Sequence, residues 1–186
     1  MLDATNLPIA LENTRLRLLS ELDADAYAAG TKDEAVRRFA HLPEPDYTPE
    51  SVRRMICDEV ATGLSSGTLA VLALADAETD RFVGSVVLFD VCSEAAEVGF
   101  WIHPGARGEG HAHRGLELAS RFARNSGLRT LTARTLPKNK ASQHCLTTAG
   151  FRETGRGVGT TPAGQREELF HYQRDLVPAS KWPLVT

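Results

Sequence analysis

The residues best suited to chemistry fall in three clusters. They are the loop Arg107-Gly108-Glu109-Gly110-His111-Ala112, the acidic Glu97 upstream of it, and Asn139 with Ser142 downstream. Glycines at 108 and 110 remove side-chain bulk, so another group can approach the backbone closely. A helix follows at once: Ala112, Leu116, Ala119 and Ala123 recur at helical spacing, Leu118 and Phe122 widen the stripe, and Arg114, Glu117, Arg121 and Arg124 fall outside it. Unpaired N–H groups and the positive end of the helix dipole attract anions there, so a phosphate or pyrophosphate suits the turn. The same glycines also suit a purely structural turn. Ahead of the loop, Val98, Gly99, Phe100, Trp101 and Ile102 form an almost unbroken apolar run, the mark of a strand buried on both faces.

Two common phosphate loops are excluded. A dinucleotide fingerprint starting at Gly108 needs Gly or Ala where His113 stands, and a P-loop needs Gly-Lys-Ser/Thr, which is absent. The pattern that remains is Arg-x-x-Gly-x-Ala, carried by Arg107, Gly110 and Ala112 and preceded by Ile102-His103-Pro104. Further on come Asn139-Lys140-Ala141-Ser142 and Ala149-Gly150-Phe151, and near the start Thr14-Arg15-Leu16-Arg17-Leu18. This ordered set resembles the Gcn5-related N-acetyltransferase (GNAT) superfamily, and within it the RimJ/RimL-type branch, whose best-known members acetylate protein N-termini. It covers roughly residues 12 to 177.

The resemblance implies a three-layer α/β (α+β) fold: a mixed, mostly antiparallel sheet of about seven strands, helices on both faces, and acetyl-CoA in a gap beside the central strand. It implies a donor site in which the Ile102 N–H polarises the acetyl carbonyl. Backbone donors of Gly108, Glu109, Gly110, His111 and Ala112 hold the pyrophosphate, Arg107 adds a charged contact, and Asn139 bonds the pantetheine arm. Ser142 resembles the residue that returns a proton to the CoA thiolate, with Tyr172 in reserve. Asn139 and Ser142 equally suit capping of the helix they open. The chain departs from the family where Arg114-Gly115 replaces the usual Glu-Ala; a mid-helix Gly costs about 1 kcal/mol relative to Ala, and either close packing or drift accounts for it.

An amine must lose a proton before it attacks a thioester, since an α-amine has a pKa near 8 and lysine one of about 10.4. Glu97 is the first candidate base, because apolar neighbours on its strand raise a carboxyl pKa. It equally suits a turn or an ion pair, and Glu94, Asp90, His41 and His171 are alternatives, as is an ordered-water relay. His111 and His113 suit a phosphate-binding helix start better than a metal, so no metal is expected. Cys145 reads as core.

The elements that must position these groups follow from periodicity and turn chemistry. Residues 1 to 11 read as a loose arm and 15 to 19 as the first strand. Ser20 caps a short helix reaching about Thr31. Prolines 43, 45 and 49 make a loop whose His41, Glu44, Asp46 and Tyr47 are, by the resemblance, substrate-side candidates, or simply solvated. Thr48-Pro49-Glu50-Ser51 opens a helix expected to stop near Gly63. Strands follow over 69–75, 82–89 and 129–136, then a helix over 140–148 closed by Gly150. A last hairpin runs over 151–158 and 167–174, and an extended tail over 178–186.

At 186 residues the chain suits one domain. A net charge of −3 and a pI near 6.1 argue against nucleic acid. Three scattered cysteines without a Cys-x-x-Cys pair, no signal peptide and no apolar run of roughly 20 residues point to a cytoplasmic protein away from membranes. The expected activity is direct acetyl transfer to a primary amine, either a protein or peptide N-terminus or a small-molecule amine. The rival is a noncatalytic acyl-CoA sensor. Homodimerisation stays open.

Overall fold

The computed structural model describes residues 1–40, 42–160 and 166–176. Its centre is one eight-stranded sheet in the order β1-β2-β3-β4-β5-β6-β8-β7. The strands are β1 Ile9–Leu11, β2 Thr14–Leu18, β3 Ala70–Asp76, β4 Phe82–Phe89, β5 Ala95–Ile102, β6 Thr130–Thr135, β7 Arg152–Thr160 and β8 Arg166–Asp175. All neighbours are antiparallel except β5 and β6. The sequence implied about seven strands; the additional one is β1, inside the expected loose arm. Three residues are too few to show a period, and β1 exists only because it folds back on β2, with Glu12 at φ 52° in the turn.

Helices α1 Ala24–Gly30, α2 Glu34–Phe39, α3 Pro49–Met55, α4 Ala61–Ser66, α5 His111–Asn125 and α6 Lys140–Thr148 divide between the two faces. Strand alternation explains the division. Leu72 and Leu74 of β3 and Val98 of β5 point into the larger core with Leu116, Leu118, Ala119 and Phe122 of α5 and Leu146 of α6. Ala73 and Trp101 point the other way, into a smaller core with Tyr27 and Ala28 of α1, Val36 of α2 and Val52 of α3. Edge-on packing of Tyr27 against Trp101, 5.1 Å between centroids, seats α1 on the sheet.

Local chemistry sets the helix ends. The Asp23 carboxylate accepts from Ser20 N–H at 2.9 Å and is gripped by Arg17 at 2.7 and 2.9 Å, which stabilises the turn leading into α1. Thr48 and Ser51 cap α3 reciprocally. That helix passes through a π-turn, Ile56–Val60, into α4 and ends at Gly67 in the left-handed conformation, not at Gly63. Gly63 is instead a packing position: a Cβ there would sit 2.6 Å from that of Leu69. Gly115 is the same case, its missing Cβ giving α5 room against Leu74 of β3. Close packing, not drift, is thus why the helix carries glycine. The expected tail, and part of the turn within the last hairpin, lie outside the described residues. No helix among those described is long and apolar enough to cross a membrane.

Candidate active site

The site arises where β5 and β6 part. Their parallel pairing holds for only three residue pairs, Ala95 with Thr130, Ala96 with Leu131 and Glu97 with Thr132, and then stops. On its other edge β5 stays paired to β4 through Ile102, with the His103 N–H bonded to Val83 O at 2.8 Å. Antiparallel alternation therefore turns the N–H groups of Phe100 and Ile102 away from β4, towards the gap that β6 has left. A cavity of about 830 Å³ fills that gap.

One wall is formed by Arg107, Gly108, Gly110, His111 and Ala112 with Ala141, Ser142, Cys145 and Thr148 of α6. The other is formed by α2 and the residues after it, Ala35 to Ala40 with Leu42, together with Phe89, Thr160, Glu167 and Leu169. Gly108 and Gly110 adopt φ of 83° and 82°, values that side chains other than glycine's resist, so the turn itself requires them. Gly110 is the N-cap of α5, leaving the first N–H groups of a 15-residue helix facing the cavity.

Of the residues singled out from sequence, Glu97, Ile102, Arg107, Gly108, Gly110, His111, Ala112, Asn139 and Ser142 all line this one cavity. Glu109 is the exception. It is exposed, its carbonyl accepts from Arg114 at 2.8 Å, and its carboxylate lies 3.4 Å from His111 Nε2. Arg107 is occupied as well, paired at 2.6 Å with Asp33, the residue that caps α2. His111 turns inward: its ring is buried, and Nδ1 lies 2.8 Å from Thr14 Oγ1 on β2. His113 is exposed, so the two histidines do not face a common centre.

Glu97 stands at the apex of the split. Period-two counting puts its side chain on the face of Gly99 and Trp101, opposite α5, and Arg134 of β6 shares that face. The guanidinium Nε donates to both carboxylate oxygens at 2.9 Å. Burial nonetheless pushes the Glu97 carboxyl above its ordinary pKa; Arg134 opposes that rise without cancelling it, and Asp90 adds to it. Asn139 accepts from the Ser142 N–H at 3.1 Å and so caps α6, its amide nitrogen remaining beside the cavity. Ser142 is half-buried there, and burial raises the Cys145 thiol one turn on.

Several alternatives fall away from the cleft. Tyr172 is buried in the larger core and does not line the cavity. Glu94 is exposed in the turn before β5, 3.9 Å from Arg129. Of the loop candidates, Tyr47 packs on Tyr27, Glu44 and Asp46 are exposed outside the cavity wall, and His41 lies outside the described residues. That wall comes instead from α2, which sequence reading missed. Asp33 as cap, Glu34 in the first turn and Arg37 and Arg38 in the last were the available signals, but six residues are too short to show a hydrophobic period. Arg134 was missed because nothing in a strand's own pattern names its cross-strand partner.

A strand that separates from its parallel neighbour beside a glycine-capped helix start leaves a cleft with backbone N–H groups turned into it, suited to a phosphate-bearing ligand. The sequence places the chain more closely: residues 13–152 match the acetyltransferase (GNAT) domain family, and the protein belongs to it. Among solved structures, the fold is similar to a GNAT-family acetyltransferase from Bacillus anthracis (19% identity, 91% of this chain and 99% of that one, TM-score 0.76). It is similar too to the ribosomal-protein-S5-alanine acetyltransferase of Vibrio fischeri (15%, 91% and 96%, 0.75). A third is Mycobacterium smegmatis RimJ in complex with CoA-disulfide (19%, 91% and 84%, 0.74). Among curated proteins nothing matches the chain.

Proposed function

We propose that this enzyme transfers acetyl directly from acetyl-CoA to the N-terminal α-amine of a protein or peptide. The observation that carries the reading is Glu97 at the apex of the β5–β6 split, on the face opposite α5, with the cavity running past it to α2 and β8. The donor enters along the glycine loop and α6, and the acceptor from the α2 side. The terminal amine is suggested by a further similar structure, described as a ribosomal L7/L12 alpha-N-protein acetyltransferase.

In this reading Glu97 takes a proton from the incoming ammonium, directly or through one water, and its raised pKa makes it a better base than an exposed carboxylate. Arg134 orients it. The Ile102 N–H, aimed into the gap, stabilises the carbonyl oxygen as the amine adds to carbon. When the C–S bond breaks, the Ser142 hydroxyl gives the CoA thiolate a proton and is reprotonated through water by the second proton that the nitrogen sheds on becoming an amide. The amine ends as an amide and Glu97 as a carboxylic acid that releases its proton to water.

Incubating the protein with isotope-labelled acetyl-CoA and cell extract, followed by mass spectrometry of polypeptides and small molecules, tests the reading. Label is expected at protein N-termini. Label confined to a low-molecular-weight amine makes the acceptor a metabolite or drug, and acetyl-CoA binding without any transfer makes the protein a sensor.

A further inference from the structure

The charges lining the cleft are unevenly satisfied. Four arginines reach it, Arg37, Arg38, Arg107 and Arg134. Arg107 is paired with Asp33 at 2.6 Å and Arg134 with Glu97 at 2.9 Å; Arg37 has a looser pair with the exposed Asp46 at 3.5 Å. Arg38 has no carboxylate within ion-pair distance among the described residues, and its guanidinium lies 5.2 Å from the centre of its neighbour Phe39's ring.

The cavity continues into a second hollow of about 510 Å³ that shares Arg37, Arg38, Phe39, Leu136 and Glu167 with it and adds Pro137, Lys138 and Glu168. Lys138, on the connection from β6 to α6, also has no acidic partner among the described residues. Two uncommitted cations from separate elements, Arg38 and Lys138, therefore face one outlet on the acceptor side. An extended polypeptide advances about 3.3 Å per residue, and the hollow adjoins the cavity that Glu97 lines, so it is within reach of the residues just after a terminal amine held at Glu97.

We infer that the outlet is a subsite for a carboxylate side chain, Asp or Glu, shortly after the acceptor's N-terminus, read by Arg38 and Lys138. The inference rests on the N-terminal acetylation proposed above. Arg38 offers a planar fork that matches a carboxylate, and Lys138 a point charge on the other side. Glu167 and Glu168 come from β8, so a basic side chain would be drawn to that strand instead, and the two preferences are separable by experiment.

Initial rates are measured on peptides with a free N-terminus that carry Glu, Gln or Lys at each of positions 2 to 5, and acetyl-CoA affinity by calorimetry. The Glu peptide is expected to have a KM about tenfold below its Gln counterpart at one position, a difference that shrinks with salt. Arg38→Glu with Lys138→Glu should invert the order, and Arg38→Gln should only reduce the preference, while acetyl-CoA affinity stays unchanged. Both positions are exposed, and circular dichroism checks that each variant folds. Equal rates for Glu and Gln at every position, or a preference for Lys, overturn the subsite while leaving N-terminal acetylation standing. Weakened acetyl-CoA binding in Arg38→Glu, with 3′-dephospho-CoA unaffected, assigns the cations to the donor's phosphate and overturns it too. If no peptide is acetylated although acetyl-CoA binds, the N-terminal reading fails and the subsite with it.

Discussion

Replacing Glu97 with Gln separates the two roles open to this residue, because the structure sets opposite expectations for rate and for stability. The carboxylate sits with a side-chain exposure of 13%, and its pKa is raised although Arg134 lies 2.9 Å away. The ionised form is therefore less comfortable in the folded chain than in the unfolded one. By linkage, such a group contributes stability that is present below its unfolded pKa and lost as pH rises through the folded one, so near pH 7 a neutral isostere removes an unfavourable charge. Against this stands the loss of two charge-assisted bonds, but the Arg134 side chain is 30% exposed and can turn to water. The two effects nearly cancel, and the net change should be within about 1 kcal/mol, or about 2–4 °C in Tm. The rate should respond far more: loss of a general base lowers kcat by about 10²–10⁴-fold. Wild type should show kcat/KM falling on the acid side of a pKa higher than an ordinary glutamate's, and Glu97→Gln should abolish that limb. Thermal melts and a pH–rate series suffice. A rate within twofold of wild type and an unmoved acid limb would remove Glu97 from proton transfer, and a Tm loss beyond about 10 °C would refute the account of its burial.

Asn139→Asp keeps the oxygen that caps α6 but loses the amide donor, so Tm should hold while acetyl-CoA KM rises; Asn139→Ala should lower stability by about 1 kcal/mol as well. Gly110→Val forces a β-branched residue to φ 82° where the N–H groups of α5 open, and calorimetry should find acetyl-CoA binding lost. Tight binding by that variant would contradict the loop assignment. Gly115→Val should leave the donor loop in place but cost about 1–3 kcal/mol in denaturant unfolding, because its side chain must displace the fully buried Leu74.

The sequence alone determined what depends on near neighbours in the chain. Gly108 and Gly110 are legible because a turn into a helix needs positive φ, Thr48-Pro49 because a helix start needs a cap, and Val98–Ile102 because a strand covered on both faces has no polar alternation. Their order along the chain, with Asn139 and Ser142 following, was enough for the family. What only the tertiary structure decided depends on contacts between residues far apart. The Glu97–Arg134 pair exists because two parallel strands stay in register for three residues and then separate. Short elements, β1 and α2, have too few side chains to show a period and take their form from what they pack against, so the cavity wall that α2 forms, Arg38 included, was invisible beforehand. Arg107, read as a charged contact to the donor, lines the cavity and also pairs with Asp33, because the loop's partner across space is the cap of α2. Backbone conformation and hydrophobic pattern are local and survive in a linear text, whereas the pairing of charges is settled only when the sheet brings them within reach.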